Sequence, residues 1–181
     1  MPTIVVPDGY LLERLDTARH SRKEFSSGKE ALDTFLRTQA SQAQGKYASA
    51  THVLIENVDT AGECPIVGYV TLVSSEIPLL EVPPSIKRIS NKNRLPALLL
   101  AKMGVDAGHK GKRLGECLLK HALVAAWQMN QNSGCLVVIV ASVITSKAAN
   151  SYHFKTGQPD WPSGTENVLP CRLLWWQVGF G

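Results

Sequence analysis

No Cys-x-x-Cys pair occurs among the four widely spaced cysteines, Cys64, Cys117, Cys135 and Cys171, and no full Cys/His ligand set of zinc-site spacing accompanies them. That argues against a disulfide framework and a metal centre, and predicts reduced thiols. Cys117 falls in predicted helix and Cys135 at the edge of a predicted strand, where a thiol fills core space rather than acting as a nucleophile. No apolar run reaches the roughly 18 residues of a membrane span. The opening residues, MPTIVVPDGY, have no basic region followed by an apolar core. Together these predict a cytoplasmic protein that does not engage membranes. No repeat or low-complexity tract appears, and neither the Walker nor the dinucleotide glycine pattern is present. The charge excess is small, 19 cations against 15 acids or +4, which permits a polyanionic partner without requiring one. With 181 residues and 44% hydrophobic content, the expectation is one well-buried domain, 1–181.

The stretch that carries most information is Leu98 to Leu123, LLLAKMGVDAGHKGKRLGECLLKHAL. Leu98, Leu99, Leu100, Ala101, Met103 and Val105 read as a buried strand that stops at Asp106. A loop follows, Ala107 to Arg113, with two glycines and three cations, and then Leu114, Leu118, Leu119, Ala122, Leu123 and Ala126 recur at helical spacing. The first amides of a helix lack intrahelical partners and sit at the positive end of its dipole, so an anion fits there. Gly111 and Gly115 let backbone approach a ligand closely, and Lys110, Lys112 and Arg113 add charge suited to a pyrophosphate. On spacing alone, an ordinary strand-to-helix connection with a solvated basic turn stands as an equal alternative.

Elsewhere, Ser27-Gly28-Lys29-Glu30 is a capping box, followed by an amphipathic helix of about four turns with Ala31, Leu32, Phe35, Leu36 and Ala40 on one face. His52 to Glu56 and Ile66 to Ser74 predict a hairpin. The proline-rich stretch 76–96 predicts a connection with a short helix at Ser85 to Ser90, Cys135 to Ile144 a buried strand, Ser146 onward another helix, and Val168 to Val178 a final strand. The alternation predicts a mixed sheet covered by helices.

The segment VDAGHKGKRLGECLLKHAL resembles motif A of the GNAT N-acetyltransferases, whose R/Q-x-x-G-x-G/A loop wraps the pyrophosphate of acetyl-coenzyme A. Gly111 fits the first motif glycine, Gly108 stands where Arg or Gln is usual, and Arg113 where the second Gly or Ala is usual. The resemblance extends over nearly the whole chain. KEFSSGKEALDTFLRTQASQAQGKYASATHVLIE is similar to the opening of GNAT toxins of type II toxin-antitoxin systems. IVGYVTLVSSEI and SKAANSYHFKTGQPDWPSGTENVLPCRLL resemble their second hairpin strand and their ending.

The resemblance implies an α/β (α+β) GNAT fold: a central mixed, mostly antiparallel twisted sheet, splayed between two parallel strands and flanked by helices. It implies transfer of acetyl from acetyl-CoA to the α-amino group of aminoacyl-tRNA, blocking translation, with no metal. Partners implied are aminoacyl-tRNA, a small ribbon-helix-helix antitoxin that carries operator DNA, and a second copy in a homodimer. Tyr152 matches the family tyrosine at the reacting centre and would protonate the departing thiolate. Main-chain amides near Met103, Gly104 and Val105 would meet the oxyanion, and Lys110, Gly111, Lys112, Arg113, Leu114, Gly115, Glu116 and Asn150 would hold the cofactor. Within that frame, an α-amine with pKa near 8 needs no strong base.

Arg22, Lys23, Lys29, Arg37, Lys92 and Arg94 are candidates for tRNA phosphate, each weighed against an ordinary surface charge. His109 and His121 read as loop and helix-surface residues, and nothing pairs Asp33 with Glu116 as acid and base. Two alternatives stay open: an acetyltransferase for small amines or protein amines, and a non-enzymatic coenzyme A binding module or repressor subunit.

Overall fold

The computed structural model describes residues 4–57, 63–81, 93–135, 137–142 and 174–179. They fall into two compact units, one made of the described residues up to Val73 with Ala101–Ala122, the other of those in Ser74–Leu100 and from Leu123 onward.

In the first unit, β1 (Tyr10–Arg14) pairs antiparallel with β3 (Ala50–Glu56), placing Tyr10 opposite Glu56 and Arg14 opposite His52. β3 pairs antiparallel with β4 (Cys64–Pro78), the expected hairpin, with a register shift between Leu54 and Ile55. β2 (His20–Ser21) adds two residues parallel to the start of β4. The end of β5 (Arg94–Val105) lies beside β4, where the Asp106 N–H donates to the Val67 carbonyl at 2.9 Å. β1 is only partly buried and its apolar alternation is weak.

The first helix is three pieces: α1 (Glu30–Thr34), a π segment (Phe35–Gln39) and α2 (Ala40–Gly45). The capping box of Ser27 with Glu30 does not form. The helix starts at Glu30, and Asp33, one turn in, reaches back to accept the Ser27 N–H at 2.9 Å and its Oγ–H at 2.6 Å. Asp33 is therefore buried, and turning it inward leaves Ala31 exposed rather than on the apolar face. In the π segment the Ala40 N–H donates to the Phe35 carbonyl, and the Thr38 hydroxyl takes up the Thr34 carbonyl at 2.8 Å.

The core of this unit is Leu15, Phe25, Leu36, Ala40, Val53, Ile55, Cys64, Ile66 and Tyr69. Each large side chain fully buried in it contributes about 1.5–3 kcal/mol of transfer free energy. Phe25 meets Tyr69 edge to face at 5.4 Å between centroids, and the Tyr69 hydroxyl donates to the Leu32 carbonyl at 2.9 Å. Burial, reinforced by Asp33, raises the phenol pKa, so Tyr69 stays a donor.

In the second unit the Leu79 N–H donates to the Asn93 carbonyl at 2.8 Å, so β4 and β5 run antiparallel. Ala97–Leu100 of β5 pair in parallel with Val137–Val140 of β6 (Val137–Ser142). Parallel pairing extends one strand further, to β7 (Leu174–Gly179). Ile77, Leu95, Ala97, Val137 and Ile139 form its core. Helix α3 (Leu114–Ser133) continues beyond the apolar recurrence that ends at Ala126, through the polar Gln128–Ser133. Gly134, at φ +85°, follows its last residue, the left-handed stop that glycine adopts most readily. The helices expected at Ser85–Ser90 and after Ser146 lie outside the described residues.

Candidate active site

The turn between β5 and α3 is built by Asp106. Its Oδ1 accepts the Gly108 N–H at 2.9 Å, an Asx turn, and its Oδ2 accepts the Ser26 N–H at 3.0 Å. The Ala107 N–H returns a bond to the Ser26 carbonyl at 2.8 Å. His109 lies across the same turn, with Nδ1 at 3.4 Å from Asp106 Oδ1 and Nε2 at 3.1 Å from Glu56 Oε1. Burial works against ionisation of Asp106, but the amides of Ser26 and Gly108 and the His109 ring outweigh it, holding the carboxyl below its ordinary range. The turn is thus pinned at three points before any ligand arrives.

Two left-handed residues then steer the chain into the helix, Gly111 at φ +82° and Arg113 at φ +58°. The first intrahelical bond comes from Cys117 N–H to the Arg113 carbonyl at 3.2 Å, leaving the amides of Leu114, Gly115 and Glu116 for a ligand. Nothing lies within 4 Å of where a Cβ on Gly111 would sit, whereas one on Gly108 would meet Asp106 Oδ1 at 3.2 Å. A longer side chain at 108 would crowd the Asx turn.

The cations of the turn are not equivalent. Arg113 and Lys120 hold one oxygen each of Glu116, at 2.7 and 2.8 Å. Lys120 and then Arg113 keep that carboxyl below its usual range. Lys112 donates to the Tyr10 hydroxyl at 3.2 Å. Among the described residues Lys110 enters no ion pair, which leaves it the readiest charge for a phosphate. The side chain of Leu114 is in the core, so only its amide faces this role.

Beside the end of β5, Glu30, Ala31, Thr34, Phe35, Gln39 and Lys102 line an open cleft of about 430 Å³. Lys102 Nζ lies 5.9 Å from the centre of the Phe35 ring, and that ring stacks on Tyr69 at 6.3 Å with 21° between planes. The cleft therefore has an aromatic wall, one acid and one cation, immediately before Met103. The π segment supplies Phe35 and Gln39.

Known proteins share this architecture. A structure of AtaT complexed with acetyl-methionyl-tRNAfMet superposes with a TM-score of 0.69, at 23% identity over 75% of this chain and 79% of that one. The fold is the GNAT acetyltransferase fold. A second GNAT neighbour, a tyrosine mutant of AtaT bound to the C-terminus of the antitoxin AtaR and acetyl-CoA, gives 0.63 at 23% identity, covering 78% and 79%. In sequence, the chain is 26% identical over 146 residues to a tRNA-acetylating toxin of Mycobacterium tuberculosis, 81% of this chain and 84% of that protein. No family model matches the sequence.

Set on the GNAT fold, Met103, Gly104, Val105 and Lys110 to Glu116 occupy one continuous strand end, turn and helix start. Tyr152 and Asn150 lie outside the described residues, as does Lys92. His121, expected on the helix surface, packs against His52 with ring centroids 4.3 Å apart. It turns inward because Leu114, Leu118 and Ala122 place that side of α3 in the core. Cys64, Cys117 and Cys135 are buried, and burial pushes the Cys117 thiol up, away from reactivity. Arg37 donates to the Phe25 carbonyl at 2.6 Å and Arg94 pairs with Glu76 at 2.8 Å, so neither is an uncommitted charge. Sequence reasoning missed Asp106, Ser26 and Tyr10. An Asp closing a strand two residues before Gly is a recognisable Asx-turn signal, but Tyr10 meets Lys112 across 102 residues and no local pattern announces it. Among the described residues no group of three or more potential metal ligands occurs, and no helix is long and apolar enough to cross a membrane.

Proposed function

We propose that this chain is a single-domain, acetyl-CoA dependent N-acetyltransferase that acetylates the α-amino group of aminoacyl-tRNA, and so acts as a toxin against translation. The observation that carries the reading is the sequence similarity to a tRNA-acetylating toxin over more than four fifths of both chains. The fold likeness to AtaT, in complexes with acetyl-methionyl-tRNAfMet and with acetyl-CoA, supports it. Acetyl-CoA supplies the thioester. In this reading, the Gly111 turn, the amides of Leu114, Gly115 and Glu116, and Lys110 bind its pyrophosphate, while Asp106 holds the turn in shape. A main-chain amide from Met103 to Val105 faces the developing oxyanion. Asn150 adds a contact to the cofactor, and Tyr152 returns a proton to the departing thiolate. The cleft of Phe35, Gln39 and Lys102 receives the acceptor. Lys102 there disfavours an ammonium, which helps to keep the attacking amine neutral.

The same reading gives the chain a cytoplasmic setting, a homodimeric state and a small antitoxin of the ribbon-helix-helix type that carries operator DNA. The neighbour bound to AtaR supports the antitoxin part. The test is incubation with radiolabelled acetyl-CoA and total charged tRNA, beside uncharged tRNA, for the wild type and Tyr152→Phe. Label on charged tRNA only, sharply reduced in the variant, is expected. Absence of label on any tRNA, with acetyl-CoA still bound, would overturn the reading and direct the search to small amines or protein amines.

A further inference from the structure

Helix α2 ends on a backbone pattern that normally calls for glycine. The Ala48 N–H donates to the Ala43 carbonyl and the Tyr47 N–H to the Gln44 carbonyl, both at 3.0 Å. That pair of bonds is a Schellman stop, in which the residue at the turn is left-handed. Here that residue is Tyr47, at φ +58°, with its side chain 93% exposed. Glycine would hold the same turn without strain, and an exposed ring buries nothing inside the fold. Tyr47 is an exposed aromatic in a left-handed conformation, so two unfavourable features coincide at one position. A local outlier held without structural return points to a task outside the fold.

The surroundings select the kind of partner. Gln42, Gly45, Lys46 and Ala48 are exposed, and Lys46 enters no ion pair among the described residues. A protein interface would set such a ring within an apolar patch. A lone ring beside a free cation instead suits an unpaired nucleobase, stacked on the phenol with its phosphate on the ammonium. We propose that Tyr47, with Lys46, is a stacking platform for an unpaired base of single-stranded RNA, such as the 3′ end of the tRNA. This rests on the reading of the acceptor as charged tRNA.

The test uses the full chain, a fluorescent unstructured RNA ending in CCA followed by anisotropy, and the charged-tRNA acetylation assay in parallel. Tyr47→Gly is expected to weaken RNA binding about tenfold while melting no earlier than the wild type, so lost binding cannot be ascribed to unfolding. Tyr47→Phe retains the ring and is expected to bind like the wild type. Lys46→Ala is expected to weaken binding and flatten its salt dependence. Binding that depends on Tyr47 in a protein that acetylates no tRNA would keep the platform and overturn the acceptor reading. Acetylation of tRNA with RNA binding unchanged in Tyr47→Gly, or no RNA binding by the wild type, would overturn the platform. So would a Tyr47→Gly defect confined to self-association in sedimentation.

Discussion

Asp106 accepts the backbone N–H of Ser26 at 3.0 Å, joining the strand-to-helix turn to a segment 80 residues earlier in the chain. The same carboxylate closes the Asx turn through Gly108, so one side chain sets both the shape and the place of the loop. Asp106→Ala leaves the Ser26 and Gly108 amides without their acceptor. Hydrogen bonds to a charged group contribute about 1.5–3 kcal/mol, so thermal melting is expected to drop clearly. Acetyl-CoA affinity, read by calorimetric titration, should fall about tenfold, since a loosened loop has to be ordered on binding. Asp106→Asn keeps one acceptor and should fall between. Unchanged affinity in the alanine variant would separate Asp106 from the site.

The His52 and His121 rings pack together in the first unit, and among the described residues nothing hydrogen-bonds to His52 Nδ1 or to either ring nitrogen of His121. Burial first, then His121 and Arg14, lower the His52 pKa to about 4, and burial lowers that of His121. Both rings are thus neutral in the folded protein at pH 7. The unfolded chain takes up protons at ordinary histidine pKa values near 6.5. Stability is therefore fully present above about pH 6.5 and is lost as pH falls towards 4, by up to about 3 kcal/mol for His52. Denaturant melts from pH 7.5 to 4.5 should show this slope, and His52→Val should flatten it. A wild-type profile flat to pH 5 would refute the neutral pair.

Local pattern made legible those parts of the molecule whose interactions are local or periodic. The apolar run Leu98 to Val105, the glycine turn and the 3.6-residue recurrence from Leu114 mark β5, the loop and α3, and the hairpin of β3 and β4 shows in its β-branched residues. Contacts across long sequence separation carried no such mark. Asp33 displaced Glu30 as the partner of Ser27 because tertiary burial, not spacing, decided which acid turned inward. His121 looked like surface because one imidazole amid Lys120 and Leu123 gives no hint that His52 covers it. The π segment that shapes the cleft has no counterpart in the apolar periodicity.

Gly104 faces the aromatic core from β5. A Cβ there would sit 3.1 Å from Tyr69 Cε1 and 3.4 Å from Phe25 Cζ, rings that are themselves packed together. Gly104→Ala is expected to destabilise by about 1–3 kcal/mol through overpacking. Gly68→Ala should cost less, because its tightest neighbour at 3.2 Å is a terminal methyl of Leu118, which can rotate away. Chemical denaturation of the two variants ranks them, and the reverse order would contradict the packing described.

Phe35 walls the cleft and stacks on Tyr69 while only partly buried. Phe35→Leu keeps an apolar contact with Tyr69 and removes the aromatic wall. If the cleft receives the acceptor, this variant raises KM for charged tRNA several-fold while acetyl-CoA affinity stays as in the wild type. Equal losses towards both substrates would place the effect on the fold instead of the acceptor.

Arg113 is left-handed at φ +58°, a conformation glycine adopts freely, and its guanidinium is engaged by Glu116 at 2.7 Å. The charge that looks, in sequence, like a pyrophosphate ligand is therefore already paired on the surface with a carboxylate of its own helix. Arg113→Gly removes the backbone strain and leaves Glu116 paired with Lys120. If the anion is held by the helix-start amides and Lys110, calorimetric titration with coenzyme A should give an affinity within about twofold of the wild type, and melting should come no earlier. If the guanidinium itself grips the pyrophosphate, affinity should fall about tenfold or more and its salt dependence should flatten, as expected for loss of a charge-assisted contact. Glu116→Gln sharpens the distinction, since freeing Arg113 raises affinity only where Glu116 competes with the ligand for it.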